Sequence, residues 1–133
     1  MSEELPVFPL AVVINDALIM TFDRGQRLPG IERRMLEDID KHLDDGIMVA
    51  GVKIIDPDPM VRAQYVANIL VNSLLDDQDK KAAAMCSWLA TRIPDLQQVK
   101  AIDNEEGSKM ELIFDKSYEQ SLNEHKIKFM KLN

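Results

Sequence analysis

DPMVRAQYVANILVNSLLDDQDKKAAAMCSWLATRI, running from Asp58 to Ile93, decides how the rest of the chain is read. Asp58 is placed to cap a helix with its side-chain oxygen, and Pro59 falls at the first helical position, where a missing N–H costs nothing. From Met60 to Leu75 apolar residues take most positions, broken chiefly by a thin stripe of Gln64, Asn68 and Asn72 at four-residue spacing. A helix with so narrow a wet side needs cover on several sides, from other elements or from a second subunit. Asp76 to Asp79 make a short connector, with Asp79 as the expected cap of a second helix over Lys80 to Ile93. Ala82, Met85, Cys86, Leu89 and Ile93 mark the inner face of that helix, and Pro94 stops it. The chain's single Trp and single Cys both lie in this second helix.

Upstream, Ile47 to Ile55 (IMVAGVKII) is expected as one apolar strand ended by Asp56-Pro57. Ile31 to Asp45 is expected as an amphipathic helix, with Ile31, Met35, Ile39 and Leu43 four apart and Gly46 as its stop. Asp23 to Gly30 is a loop. Ala17 to Phe22 and Leu5 to Ile14 are apolar runs separated by Asn15-Asp16, the pattern of a β-hairpin. Pro6 and Pro9 make the first strand begin late or lie at an edge. Both arms are continuously apolar, so the expectation is burial on both faces, or one face paired with another chain. Met1 to Glu4 read as a loose tail.

Downstream, Gln97 to Asp103 and Lys109 to Asp115 alternate in twos around the turn Asn104-Glu105-Glu106-Gly107, giving a second hairpin. Ser117 to Glu124 stays open between coil and a turn of helix. His125 to Leu132 alternates, with Ile127 and Phe129 opposite lysines, and is expected as an edge strand guarded by charge.

The expected order is β-β-α-β-α-α-β-β-β. The expected fold is a single α+β domain over residues 1–133, two-layered, with a mostly antiparallel sheet against the central helical pair. No repeat, low-complexity tract or linker-like stretch interrupts the chain.

With 46% apolar and 29% charged residues in 133, the chain can bury a core without disulfides or metals. A net charge of −7 argues against non-specific binding to nucleic acid or to an anionic membrane. Cys86, alone in the chain, is expected as a buried, reduced, small apolar residue. The acidic start MSEELPVFPL has no basic segment followed by a long apolar run, and no stretch reaches the length of a membrane span, so the expected location is cytoplasmic. Leu5-Pro6-Val7-Phe8-Pro9-Leu10 resembles the opening of the substrate-recognition domain of Lon-type proteases. That family's proline-rich second strand and aromatic turn are not matched by Ala17 to Phe22 or by Arg24 to Gly30, and the chain is not assigned to it.

Two candidate surfaces emerge. The first is an anion site built from Arg24 and Arg27 of the loop and Arg33 and Arg34 of the following helix, at a helix N-terminus that offers free N–H donors. Its glycine spacing is not that of a P-loop. The second is acidic: Asp38, Asp44 and Asp45, of which the last two sit near a helix C-terminus where the dipole disfavours them, mark a surface for a basic partner. His42 and His125 belong to no metal or acid–base motif. Tyr65 and Trp88, on apolar helices, read as core. No metal or cofactor is expected. The functional expectation is a non-enzymatic protein-interaction module, an adaptor, regulator or inhibitor acting as a homodimer. The competing expectation is a small ligand-binding domain or enzyme using the arginine loop. Eight methionines suit an adaptable core or interface.

Overall fold

The computed structural model describes residues 9–24 and 30–131, leaving aside the side chains of Ile31 and of residues 125–131. The expected N-terminal tail, Arg27, the His125 side chain and the start of the first strand lie outside the described residues. The elements are β1 (Leu10–Ile14), β2 (Ala17–Phe22), α1 (Gly30–Asp44), β3 (Ile47–Val49), β4 (Val52–Ile54), α2 (Pro59–Leu75), α3 (Asp79–Arg92), β5 (Gln98–Asn104), β6 (Gly107–Ile113) and α4 (Tyr118–Lys131). This is an α+β chain, and it forms two compact units. One comprises Met1–Gly25 with Asp95–Asn133, the other Gln26–Pro94.

The first unit holds a four-stranded sheet in the order β2-β1-β5-β6. β1 pairs antiparallel with β2 and parallel with β5, and β5 pairs antiparallel with β6. The sheet is therefore mixed, where a mostly antiparallel one was expected. Each hairpin is antiparallel because its connection is short, whereas β1 and β5 are far apart in sequence and free to align in parallel. As an inner strand β1 is buried at every position. β2 is not buried on both faces as expected: it is an edge, and Leu18 and Ile19 are exposed. The turn between them carries positive φ at Asn15 (51°) and Asp16 (66°), as a two-residue hairpin requires. Asn15 then acts as a false residue of the ladder. Its Nδ2 donates to the Asp103 carbonyl (3.0 Å), and its Oδ1 accepts from the Asp103 N–H (2.8 Å).

The expected last strand is corrected to helix. Ser117 accepts from the Gln120 N–H at its Oγ (3.2 Å), while the Gln120 side chain accepts from the Ser117 N–H (2.8 Å). This reciprocal cap satisfies two helix-end donors at once and starts α4, which overrides the two-residue alternation further along.

In the second unit α2 and α3 pack on one another, and α1 touches α3. Asp58 caps α2 as expected, accepting from the Val61 N–H at 2.9 Å, with Pro59 behind it. Ala63, Val66, Ala67 and Leu70 are buried along α2, and Cys86, Trp88 and Leu89 along α3. Asp79 is not the cap of α3. Gln78 holds that position without a side-chain bond, and Asp79 is the first helical residue, where its charge still complements the dipole. The single strand expected over Ile47 to Ile55 is instead a hairpin, with Ile47 opposite Ile54 and Val49 opposite Val52. Ala50 (φ 51°) and Gly51 (φ 81°) make its turn. The unbroken apolar run concealed that turn, because Ala rarely adopts positive φ. Gly46, at φ 107°, closes α1 as expected, and a Cβ there would lie 3.2 Å from the Ile54 carbonyl oxygen. Among the described residues no helix is long and apolar enough to cross a membrane.

Candidate functional site

The β3–β4 hairpin buries only its root. Ile47 is covered, while Met48 (61%), Val49 (40%), Val52 (63%) and, just past β4, Ile55 (74%) are exposed to water. Scattered single apolar residues on a surface are ordinary; four within eight consecutive positions are not. Lys53, opposite Met48, is the hairpin's one charged side chain.

The foot of the hairpin is acidic, with Asp44 and Asp45 before β3 and Asp56 and Asp58 after β4, all exposed. Arg62 ties the two sides together. Its Nη1 donates to Asp44 (2.7 Å), its Nη2 to Asp56 (3.0 Å), and its Nε to the Pro57 carbonyl (2.7 Å). The Arg62 side chain is largely covered, while both carboxylates are exposed, so these charge-assisted bonds fix geometry more than they add stability. They also resolve the local conflict that Asp44 poses at a helix C-terminus. The hairpin thus stands on a braced base.

Next to that base is a cavity of about 530 Å³, lined by Asp40, Asp56, Asp58, Arg62, Trp88 and Arg92 among others. Trp88 Nε1 donates to Asp40 (2.7 Å), and Arg92 Nη2 donates to the other carboxylate oxygen of Asp40 (2.7 Å). Both arginines in the wall are already committed to carboxylates, so an entering anion would compete with them. Asp56 and Asp58 are exposed and each is bonded through Oδ1 alone, to Arg62 and to the Val61 N–H, so their second carboxylate oxygens are the acceptors an entering cation would use. Among the described residues no group of three His, Cys, Asp or Glu converges to hold a metal ion.

The sheet unit has its own cavity of about 460 Å³, lined by residues of β1, β5, β6, α4 and the connection between the last two, including Gln98, Lys100, Glu111, Lys116 and Glu124. Gln98 is buried and donates to Ser121 Oγ (2.9 Å) and the Lys116 carbonyl (3.2 Å). Lys116 donates to Glu124 at 2.9 Å, and that bonded carboxylate holds the ammonium above its ordinary pKa. Lys100 faces Glu111 across the ladder. Each lysine on these walls thus has a carboxylate neighbour, and Asp16 adds a third acid.

Of the residues singled out from sequence, Arg24 lies in the sheet unit, after β2, and Arg33 and Arg34 lie exposed on α1 in the other unit. Arg27 is outside the described residues. Asp38 and Asp45 are exposed, and Asp44 is one anchor of Arg62. Sequence reasoning missed Arg62, the pairing of Asp40 with Trp88, and the exposed hairpin. Asp40 meets Trp88 across 48 positions, and no local pattern announces that. The hairpin did leave a signal, the Gly51 inside an apolar run. No protein-family model matches the chain, and neither a curated protein nor a solved structure matches it.

Proposed function

We propose that this chain is a protein-interaction module that acts by contact rather than catalysis, with the β3–β4 hairpin as its docking surface. The observation that carries this reading is the exposure of Met48, Val49, Val52 and Ile55 on one hairpin. Leaving such side chains partly in water, 40–74% exposed, forgoes roughly 1–2 kcal/mol each relative to full burial. A partner that covers them recovers part of that, and the Arg62 brace lowers the ordering cost of binding. The test replaces the apolar contact without adding charge. Val52→Ser with Ile55→Ser is expected to keep the far-UV circular dichroism of the parent while losing a partner that the parent retains on affinity capture. A partner profile identical for parent and variant rejects the hairpin as the surface.

Self-association is the second reading, and β2 favours it. From Ala17 to Phe22 this edge strand carries no charged residue, and it exposes Leu18 and Ile19. Charges are the commonest guard of an edge. Light scattering after size exclusion is expected to show a dimer that Ile19→Lys converts to monomer. A parent that is monomeric at high concentration removes this second reading and leaves the first.

A further inference from the structure

We infer that the occupant of the hairpin surface is a basic amphipathic segment of another protein, its apolar side on Val49 and Val52, which pair on one face of the hairpin, and its Lys or Arg side over the acidic foot. This rests on the reading of the hairpin as a docking surface, and adds the chemistry of what docks. Two observations carry it. Asp44, Asp45, Asp56 and Asp58 bracket the hairpin against a single Lys53, and all four are exposed. The cavity at the foot has Asp56 and Asp58 in its wall, while its cations, Arg62 and Arg92, are engaged by Asp44, Asp56 and Asp40. An apolar patch edged by one sign of charge selects a partner edged by the other. A second copy would set the same carboxylates against each other. An anionic lipid surface would meet them with like charge.

Trp88, the chain's only tryptophan, lines the cavity and reports on its occupancy. The probes are two synthetic amphipathic helical peptides without aromatic residues, one of Leu and Lys and one of Leu and Glu, titrated against the full chain. The Leu/Lys peptide is expected to change Trp88 emission saturably, and the Leu/Glu peptide to leave it unchanged. Asp45→Asn with Asp56→Asn and Asp58→Asn is expected to weaken the Leu/Lys peptide about tenfold, since rim charges act on encounter and salt dependence. Asn keeps both the helix cap and the positive φ of Asp56 (50°). Asp76→Asn with Asp77→Asn and Asp79→Asn removes equal charge elsewhere, and is expected to change affinity less than twofold. Equal weakening by the two triples, or equal binding of both peptides, overturns the inference. If a triple does not fold, the parent decides: affinity for the Leu/Lys peptide that does not fall between low salt and about 0.5 M salt overturns it as well.

Val52→Ser with Ile55→Ser separates the two levels. If this pair leaves peptide binding intact, the docking surface itself is wrong. If it abolishes binding while the foot triple has no effect, the surface stands and the basic occupant falls. The basic occupant is also overturned if the same pair abolishes dimerisation, or binding to phosphatidylcholine vesicles containing phosphatidylglycerol.

Discussion

The helical unit and the sheet unit are each held internally by a different kind of bond. In the helical unit the ends of elements are finished by neighbours in sequence. Asp58 caps α2 from three residues before Val61, Gly46 stops α1, and Arg62 reaches Asp56 six residues away. In the sheet unit the deciding ties cross the chain. β1 lies beside β5, and the Asn15 amide locks onto Asp103, 88 positions on. Local ties close small loops and each stands nearly alone; distant ties close a large loop and fix a register on which other pairs depend. A substitution in the sheet unit is therefore expected to cost more than one of equal chemistry in the helical unit.

The largest effect tests that contrast directly. Asn15→Ala removes both bonds to Asp103 and places Ala at φ 51°. The expected cost is about 2 kcal/mol, the sum of two modest hydrogen bonds and a left-handed alanine. Asn15→Gly relieves the backbone and keeps only the hydrogen-bond loss, so it should recover about half. Urea denaturation followed by far-UV circular dichroism measures both. If Asn15→Ala costs less than the loss of the α2 cap, the contrast between the units is broken.

Second in size is a long tie inside the helical unit, from Asp40 to Trp88 and Arg92. Asp40→Ala leaves the indole N–H of Trp88, a buried residue, without its acceptor and Arg92 without its carboxylate. The expected loss is about 1.5 kcal/mol, mostly the penalty for an unsatisfied buried donor. Asp40→Asn keeps an acceptor and should lose less than half as much. Trp88 fluorescence during urea unfolding reads this at the altered bond. An alanine variant as stable as the parent would make Asp40 a surface ornament and remove the reason for placing a long tie in this unit.

The same division explains what was legible in the sequence. Asp58-Pro59, Gly46 and Asn15-Asp16 act within a few residues of themselves, so their patterns named a helix start, a helix stop and a turn. The parallel pairing of β1 with β5 has no local signature, and the expectation is accordingly a mostly antiparallel sheet where the sheet is mixed. Two misreadings were of local signals that were present. Ser117 and Gln120 form a capping box, but the alternation after His125 suggested a strand. Ala50-Gly51 turns the chain, but apolar neighbours on both sides made IMVAGVKII look like one strand. At the candidate site, Asp44 and Asp45 stood out because they oppose a helix dipole. Arg62, which answers Asp44 from 18 positions away, did not.

The two ends of α2 give the smallest effects, and of opposite sign. At its start, Asp58→Ala removes the acceptor for the Val61 N–H and should cost about 1 kcal/mol, with Asp58→Asn close to neutral. At its end the chain closes with the bonds of a Schellman turn: the Asp77 N–H donates to the Leu74 carbonyl (3.3 Å) and the Gln78 N–H to the Ser73 carbonyl (2.8 Å). That geometry sets Asp77 at φ 59°, where glycine is the usual occupant. Asp77 also adds a negative charge next to the negative end of the helix dipole. Asp77→Gly removes both penalties and should raise stability by about 0.5 kcal/mol, the added freedom of the unfolded glycine taking back part of the gain. Asp77→Asn removes the charge alone and keeps a residue that tolerates this φ, so comparing the two in thermal unfolding separates dipole from backbone. A fall in stability with glycine, measured against a neutral Asn variant, would mean the turn is held by the Asp77 side chain and not by the two carbonyl bonds.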